Sequence, residues 1–385
     1  MGFVADWFND LQQNREADII VDDTLAYLRK REGVLDPYMP MKEYDSRDFL
    51  AYVTDKVVTL ASVVSYGAEI PKTQTGKLRK ITSELVKIAL SYAYDEETQW
   101  RMMEAMERAG DKGVYVQDMK MPDGTTLKGS NDSLSTYLFG KIEDLSKSVV
   151  DTLNVMAWQC IQHGKVSFTD YRTNTVTEID WKDSEANYNH FPSALTNTGN
   201  TGKPASRQWT DYENANGIQT LYDAVDTFID TNGFVPTETI MSRRAKNNLL
   251  QQKSTKEAAR ARVGGQNLSE VAPEQLNDIL RIRDIPPITV YDEQYQIEDS
   301  DGEVSKGRFH AENRFSFMTQ NMGERAVGVT LESKSSLNDN PKKGIYLRTY
   351  EKQKQPILDV SEAIATALPV VVNPKYLYSQ QVWTT

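Results

Sequence analysis

Residues Val57 to Asp95 constrain this chain more than any other part of it. Two strand-like runs flank a polar tip, and together they are too long and too thinly apolar to pack inside one compact domain. The first run, Val57 to Tyr66, is rich in β-branched residues. The second, within Thr82 to Tyr94, contributes Leu85, Ile88, Leu90, Tyr92 and Tyr94. Between them, Gly67, Pro71 and Gly76 supply turn chemistry and little to bury. A two-stranded ribbon is marginal in water on its own, and its edges invite pairing. From Glu69 to Lys87 five basic residues (Lys72, Lys77, Arg79, Lys80, Lys87) stand against two acidic ones (Glu69, Glu84), a local charge of +3 in a chain of formal net charge -11. A basic projection on an acidic body is complementary to a second copy of itself, so the segment reads as an arm for a neighbour. A solvated hairpin on a monomer is the plainer alternative.

The rest of the charge pattern narrows the class. With 55 acidic and 44 basic residues the whole surface is a poor binder of nucleic acid. The first forty residues carry eight acidic and four basic side chains, so they are no basic DNA-binding arm. No run of 18 apolar residues offers a membrane span, and Asp6 and Asp10 stand where a secretory signal would be basic and then apolar. The single cysteine, Cys160, excludes an intrachain disulfide framework and reads as a small buried apolar residue in a reducing compartment.

Ahead of the hairpin, Pro37 and Pro40 predict an extended path over Asp36 to Met41 within a leading arm. Behind it, Glu96 to Ala109 reads as a helix closed by Gly110, and Gly113 to Lys128 as a small ribbon turning at Pro122-Asp123-Gly124. The strongest helix follows: Leu134, Leu138, Ile142, Leu145, Val149, Leu153, Met156 and Cys160 recur at spacings of 4 and 3 in one apolar stripe. With caps at Ser130 to Ser133 and at Gly164, it should run roughly 40 Å at about 1.5 Å per residue. Lys165 to Tyr171 and Thr175 to Trp181 make a hairpin, and the polar stretch 183–217 marks a boundary. Beyond it, helices over Ile218–Thr231, Ser242–Gln251 and Pro273–Ile282 alternate with strands at Glu238–Met241 and Pro287–Tyr291, an α/β arrangement. Strands near Phe315–Met318 and Val327–Leu331 complete it. Gly344–Tyr350, Ile357–Val372 and Tyr376–Val382 return to strand patterns.

No catalytic constellation emerges. His163, His190 and His310 lack partners at zinc-ligand spacing. Gly199-Asn200-Thr201-Gly202-Lys203 has the wrong glycine spacing for a phosphate loop, and Pro204 stands where the magnesium-binding hydroxyl would be. Arg243, Arg244 and Lys246 open a helix and read as a solvated or ion-paired face. Neither a cofactor nor a metal is called for.

The order of parts resembles the lambda-type major capsid proteins of tailed bacteriophages, the capsid E family, with the Hong Kong 97 capsid fold. Val63 to Tyr94 is similar to the family's E-loop, and Leu134 to His163 to its spine helix. Thr239-Ile240-Met241 running into Arg243–Leu250 is similar to the strand-to-helix step of the A-domain. Leu368-Pro369-Val370-Val371-Val372-Asn373-Pro374, with Tyr376 and Val382, is similar to the C-terminal run. The resemblance implies an α+β fold divided into an N-terminal arm (1–56), E-loop (57–95), P-domain (96–205, spine 134–163), A-domain (206–344) and a C-terminal return to the P-domain (345–385). It implies intersubunit contact through Gly67, Ile70, Pro71, Lys72, Gly76, Lys77, Arg79 and Lys80 at the E-loop tip. Pro37, Tyr38 and Pro40 would make arm contacts, and Leu134, Leu138, Ile142, Leu145, Val149, Leu153 and Met156 the spine core. The implied function is a non-enzymatic icosahedral head shell around double-stranded DNA, built of hexamers and pentamers in the host bacterial cytoplasm. A separate scaffolding protein, a portal protein and a decoration protein are the implied partners, with DNA touched weakly and without sequence preference. An encapsulin-like nanocompartment shell, and a cytoplasmic two-domain enzyme, are the alternatives.

Overall fold

The computed structural model describes residues 34–45, 48–54, 78–110, 119–120, 126–127, 131–169, 176–181, 191–192, 195, 207–262, 270–298, 304–330, 343–352 and 358–384. The first half contains β1 (Met41–Glu43), β2 (Asp48–Thr54), β3 (Leu78–Glu84), β4 (Val86–Tyr94), α1 (Glu96–Gly110), β5 (Met119–Lys120), β6 (Thr126–Leu127), α2 (Asn131–His163), β7 (Lys165–Thr169) and β8 (Val176–Asp180). A helical stretch follows with α3 (Gly217–Asn232), β9 (Glu238–Met241), α4 (Arg243–Gln251), α5 (Lys253–Arg260) and α6 (Pro273–Ile282). Strands close the chain: β10 (Ile288–Val290), β11 (Gln294–Glu298), β12 (Val304–Arg308), β13 (Arg314–Met318), β14 (Gly323–Val327), β15 (Tyr346–Lys352), β16 (Leu358–Val371) and β17 (Tyr378–Gln381).

The long apolar stripe builds the first core. Ile142, Leu145, Val149, Leu153, Met156 and Cys160 are all buried against a five-stranded sheet. From Leu153 to Ile161 burial extends round most of the helix, taking in Asn154, Ala157 and Trp158, which is why the stripe broadens there. Gly164, at φ 67, ends the helix with its N–H on Cys160 O at 2.8 Å. The axis of the sheet is β16. Its Ala367 pairs with Val86 of β4 and with Val327 of β14, so those strands lie on opposite sides, and β15 takes the remaining length beside β14. Held on both sides, β16 reads as a nearly unbroken buried run, and β1 extends the sheet parallel to β14.

The second core is the sheet β10-β9-β13-β17 with α3 to α6. Parallel β9 and β10 are joined through α4, α5 and α6, the crossover that parallel pairing requires. Asn216 and Ser242 cap α3 and α4 through side-chain oxygens that accept from Gln219 N and Ala245 N. Phe228, Phe315, Phe317, Trp209 and Tyr378 fill the space between, with Phe317 and Tyr378 stacked at 5.0 Å.

Five expectations change. The partner of β3 is β2, Asp48–Thr54, inside the stretch assigned to the arm; Val57 to Tyr66 lies outside the described residues. Thr82 to Tyr94 is two strands, because Leu85 turns into the core and β4 joins the five-stranded sheet. Asp36 to Met39 is a turn and not an extended path: Tyr38 and Met39 both donate backbone N–H to Leu35 O, at 3.0 and 2.7 Å. The strand expected at Val327–Leu331 is β14, earlier by four residues and in the first sheet. The C-terminal return is divided, β15 and β16 going to the first sheet and β17 to the second.

Candidate assembly surfaces and the junction between the cores

The arm is anchored at its base. β2 and β3 pair from Asp48↔Glu84 to Thr54↔Leu78, placing Arg79 and Lys80 opposite Val53 and Tyr52. Among the described residues this ribbon shares no ladder with any other sheet. Gly67, Ile70, Pro71, Lys72, Gly76 and Lys77 lie outside the described residues, as do the side chains of Leu134 and Leu138; Ile142, Leu145, Val149, Leu153 and Met156 are buried in the first core. Pro37 and Pro40 are exposed, but Tyr38 is buried in its own chain and is not free to meet a neighbour. On α2, Glu143 and Asp144 are exposed.

Residues 35–44 strap the two cores together. Arg325, 5% exposed at its side chain, donates Nε to Met39 O at 2.9 Å and Nη1 to Asn154 Oδ1 at 2.6 Å, and its Nη2 pairs with Asp36. One guanidinium therefore joins strap, β14 and α2, a geometry that a planar fork of donors serves and an ammonium cannot. Tyr38 donates its hydroxyl to Glu238 Oε1 at 2.7 Å, and Thr289 donates to Oε2 at 2.7 Å, so strap, β9 and β10 share one carboxylate. Burial first, and then Glu238, push the Tyr38 phenol well above its usual range. Gly323 lets strap and sheet approach: a Cβ there would overlap the Val370 carbonyl oxygen and lie 2.8 Å from Met39 Cε.

The end of α2 meets the segment that leads into β13 through Gln162, which donates Nε2 to Phe309 O and accepts from Ala311 N, each at 2.8 Å. Beside it Arg314 Nη1 reaches Gln162 O and Ser379 O, both at 3.3 Å. His310, 1% exposed, sits edge-on to Trp158 with Nε2 3.0 Å from Ser316 Oγ. Burial, and secondarily the Arg314 charge, push its pKa down to about 3, so the ring is neutral at physiological pH. Sequence reading missed this cluster and the Arg325 hub, because their partners lie more than a hundred residues away.

Arg243 and Arg244 find partners within their own chain. Arg243 N donates to Asp292 Oδ2 at 3.0 Å, and Arg244 Nη1 lies 3.0 Å from Glu312 Oε2; Arg308 bridges the same two carboxylates at 2.9 and 3.4 Å. Among the described residues there is no group of His, Cys, Asp and Glu that could hold a metal ion, and no helix is long and apolar enough to cross a membrane.

Comparison with known proteins agrees with this architecture. A search of curated protein sequences finds no match. Among solved structures, a protein assigned as the capsid protein of an E. coli CFT073 prophage is 14% identical, covers 90% of this chain and 92% of its own, and superposes with a TM-score of 0.53. The capsid of Myoviridae phage XM1 is 9% identical over 91% of this chain and 90% of its own, with a TM-score of 0.42. The first of these shows the fold, a mixed α+β capsid fold of the Hong Kong 97 type. The family model of phage major capsid protein E matches residues 32–382, from the strap to the end of the second core. The chain therefore belongs to the phage major capsid protein E family, whose members form the shell of the phage head.

Proposed function

We propose that copies of this chain clasp one another through the β2–β3 ribbon and its basic tip, closing into hexamers and pentamers of an icosahedral shell around double-stranded DNA. The observation that carries the reading is the ribbon itself: among the described residues it forms no ladder with either core, and it joins the body of the protein only at its base, where β2 follows β1 and β3 runs through Leu85 into β4. A two-stranded sheet of this kind gains stability from a covering partner. Its charge suits an acidic neighbour such as the Glu143 and Asp144 face of α2. Each contact is heterologous, so moderate interfaces sum to a stable closed shell. The role is structural, and the family match favours a phage head over a nanocompartment.

The remaining roles are drawn from the same reading. A separate scaffolding protein guides closure, a portal protein admits the genome, and a decoration protein braces the outside, with assembly in the host bacterial cytoplasm. An acidic chain holds packaged DNA weakly and without sequence preference, which lets the duplex slide during filling. Reversing Lys77, Arg79 and Lys80 to glutamate moves the arm from basic to acidic. Particle yield by electron microscopy should fall sharply while the circular dichroism of dissociated subunits stays native; undiminished yield would refute the clasp.

A further inference from the structure

The helices of the second core carry two charged ridges of opposite sign. From Gln208 to Ser242 there are six acidic residues and no lysine, arginine or histidine; from Arg243 to Arg262 there are seven basic residues and one acidic, a local charge of +6. Helix α3 turns Ile218, Leu221, Ala224, Val225 and Phe228 into the core, which leaves Asp223, Asp226 and Asp230 exposed together on its outer side. Tyr222, 37% exposed, stands one turn before Asp226. Helix α5 buries Thr255 and Ala259 and sets Lys253, Lys256 and Arg260 along its other side, the first and last exposed and Lys256 half-buried. Both ridges have the same spacing, three residues and then four, and each spans about 10 Å at about 1.5 Å per residue.

The acidic ridge is not neutralised by its own chain. Asp223 accepts from Gln219 Nε2 at 2.8 Å, and among the described residues none of the three aspartates makes an ion pair. On the basic ridge Lys253 lies 3.8 Å from Glu213, with both side chains mostly in solvent, a pair that contributes little. We infer that α3 of one copy packs beside α5 of the next, with Asp223, Asp226 and Asp230 against Lys253, Lys256 and Arg260. Two different patches on one domain make a head-to-tail contact, which closes into rings and not into an isolated pair. A DNA backbone would satisfy the basic ridge and leave the acidic one, with its exposed tyrosine, uncovered; a second copy covers both. The contact rests on the shell reading above and is separate from the arm, since reversing Lys77, Arg79 and Lys80 leaves both ridges as they are. An arm variant that keeps its particle yield refutes the clasp and leaves this contact standing.

The test exchanges the charges in whole chains. One variant carries Asp223→Lys, Asp226→Lys and Asp230→Lys; the other carries Lys253→Glu, Lys256→Glu and Arg260→Glu. Each alone sets like charges against each other at every such contact, so particle yield by electron microscopy should fall by about tenfold or more. In an equal mixture unlike copies can alternate, and yield should recover severalfold above either variant. A lesion confined to one chain is not rescued by mixing, so a mixture that fails like its components overturns the inference. Either variant assembling in full also overturns it; if the base-reversed subunits then retain duplex DNA less well, that ridge serves the genome instead. Should the variants not fold, judged by circular dichroism, the unsubstituted protein decides. Particles assembled from copies labelled with light and heavy nitrogen are treated with a carbodiimide, which takes up water as it joins a lysine amine to a carboxylate in an amide. Mixed-isotope peptides linking Lys253 or Lys256 to α3 are expected by mass spectrometry. Links confined to single-isotope pairs, or no links, refute the contact.

Discussion

Acid should weaken the junction between the two cores through one residue, His310. Its pKa is about 3 in the folded chain against the ordinary 6.5, because the ring is buried with the Arg314 charge nearby. A base whose pKa is depressed on folding leaves stability untouched above pH 6.5 and removes it progressively as pH falls from 6.5 toward 3. The unfolded chain binds the proton and the folded one does not. At pH 5 the loss is about 2 kcal/mol, and below pH 3 it approaches about 5 kcal/mol, from 1.36 kcal/mol per pKa unit. His310→Gln keeps a polar nitrogen near Ser316 Oγ and has no proton to gain. At pH 8 the variant should be less stable by about 1 to 2 kcal/mol, since it loses the edge contact with Trp158 and some ring volume. Urea denaturation of dissociated subunits followed by circular dichroism should show that deficit shrinking by about 2 kcal/mol at pH 5. Carboxylates common to both proteins cancel in the difference. Parallel stability curves, or a deficit that grows in acid, would refute the assignment.

Three further outcomes follow from the strap and the core. Replacing Arg325 with methionine strands Asp36 and Asn154 and should cost about 3 to 5 kcal/mol, seen as a lowered Tm; lysine should recover less than half, because it cannot serve three acceptors in one plane. Gly323→Ala should destabilise by about 1 to 3 kcal/mol, since the Val370 carbonyl belongs to a fixed ladder and cannot yield; an unchanged Tm would show that the close approach is loose. Cys160 should resist thiol reagents in the native protein, with a labelling rate that does not rise between pH 7 and pH 9; a tenfold rise would mean an accessible thiolate.

The elements legible in the sequence are those in which periodicity, caps and burial agree. Helix α2 shows this, with its stripe from Ile142 to Cys160 and its stop at Gly164, as does α4 behind its Ser242 cap. Pairing was less legible, because strand propensity says which residues extend and not which partner they meet. Val57 to Tyr66 is the more β-branched run, yet Asp48–Thr54 holds the register with β3. Two prolines suggested extension at 36–41, but the chain turns back on Leu35 O there, and Tyr38 and Met39 are buried. The short helix α5 buries only Thr255 and Ala259, too few positions to make a period. Trp100 was visible in the sequence as an aromatic; its 70% exposure was not, because helix propensity does not say which side of α1 meets solvent.

The two cores are joined in a way that limits how they can move. The chain leaves β13 for β14 through residues 319–322 and leaves β16 for β17 through residues 372–377, and these links are tied to each other: Val372 and Asn373 donate backbone N–H to Met322 O at 3.0 and 3.1 Å, and Asn373 Nδ2 donates to Asn321 O at 2.7 Å. Two linked connections side by side behave like a door hung on a pair of pins. Swinging about the line through both needs only small changes in a few backbone angles, whereas sliding or twisting would stretch one link against the other. The Tyr38 to Glu238 bond and the Gln162 bonds cross the same junction, so any such swing has to release them first.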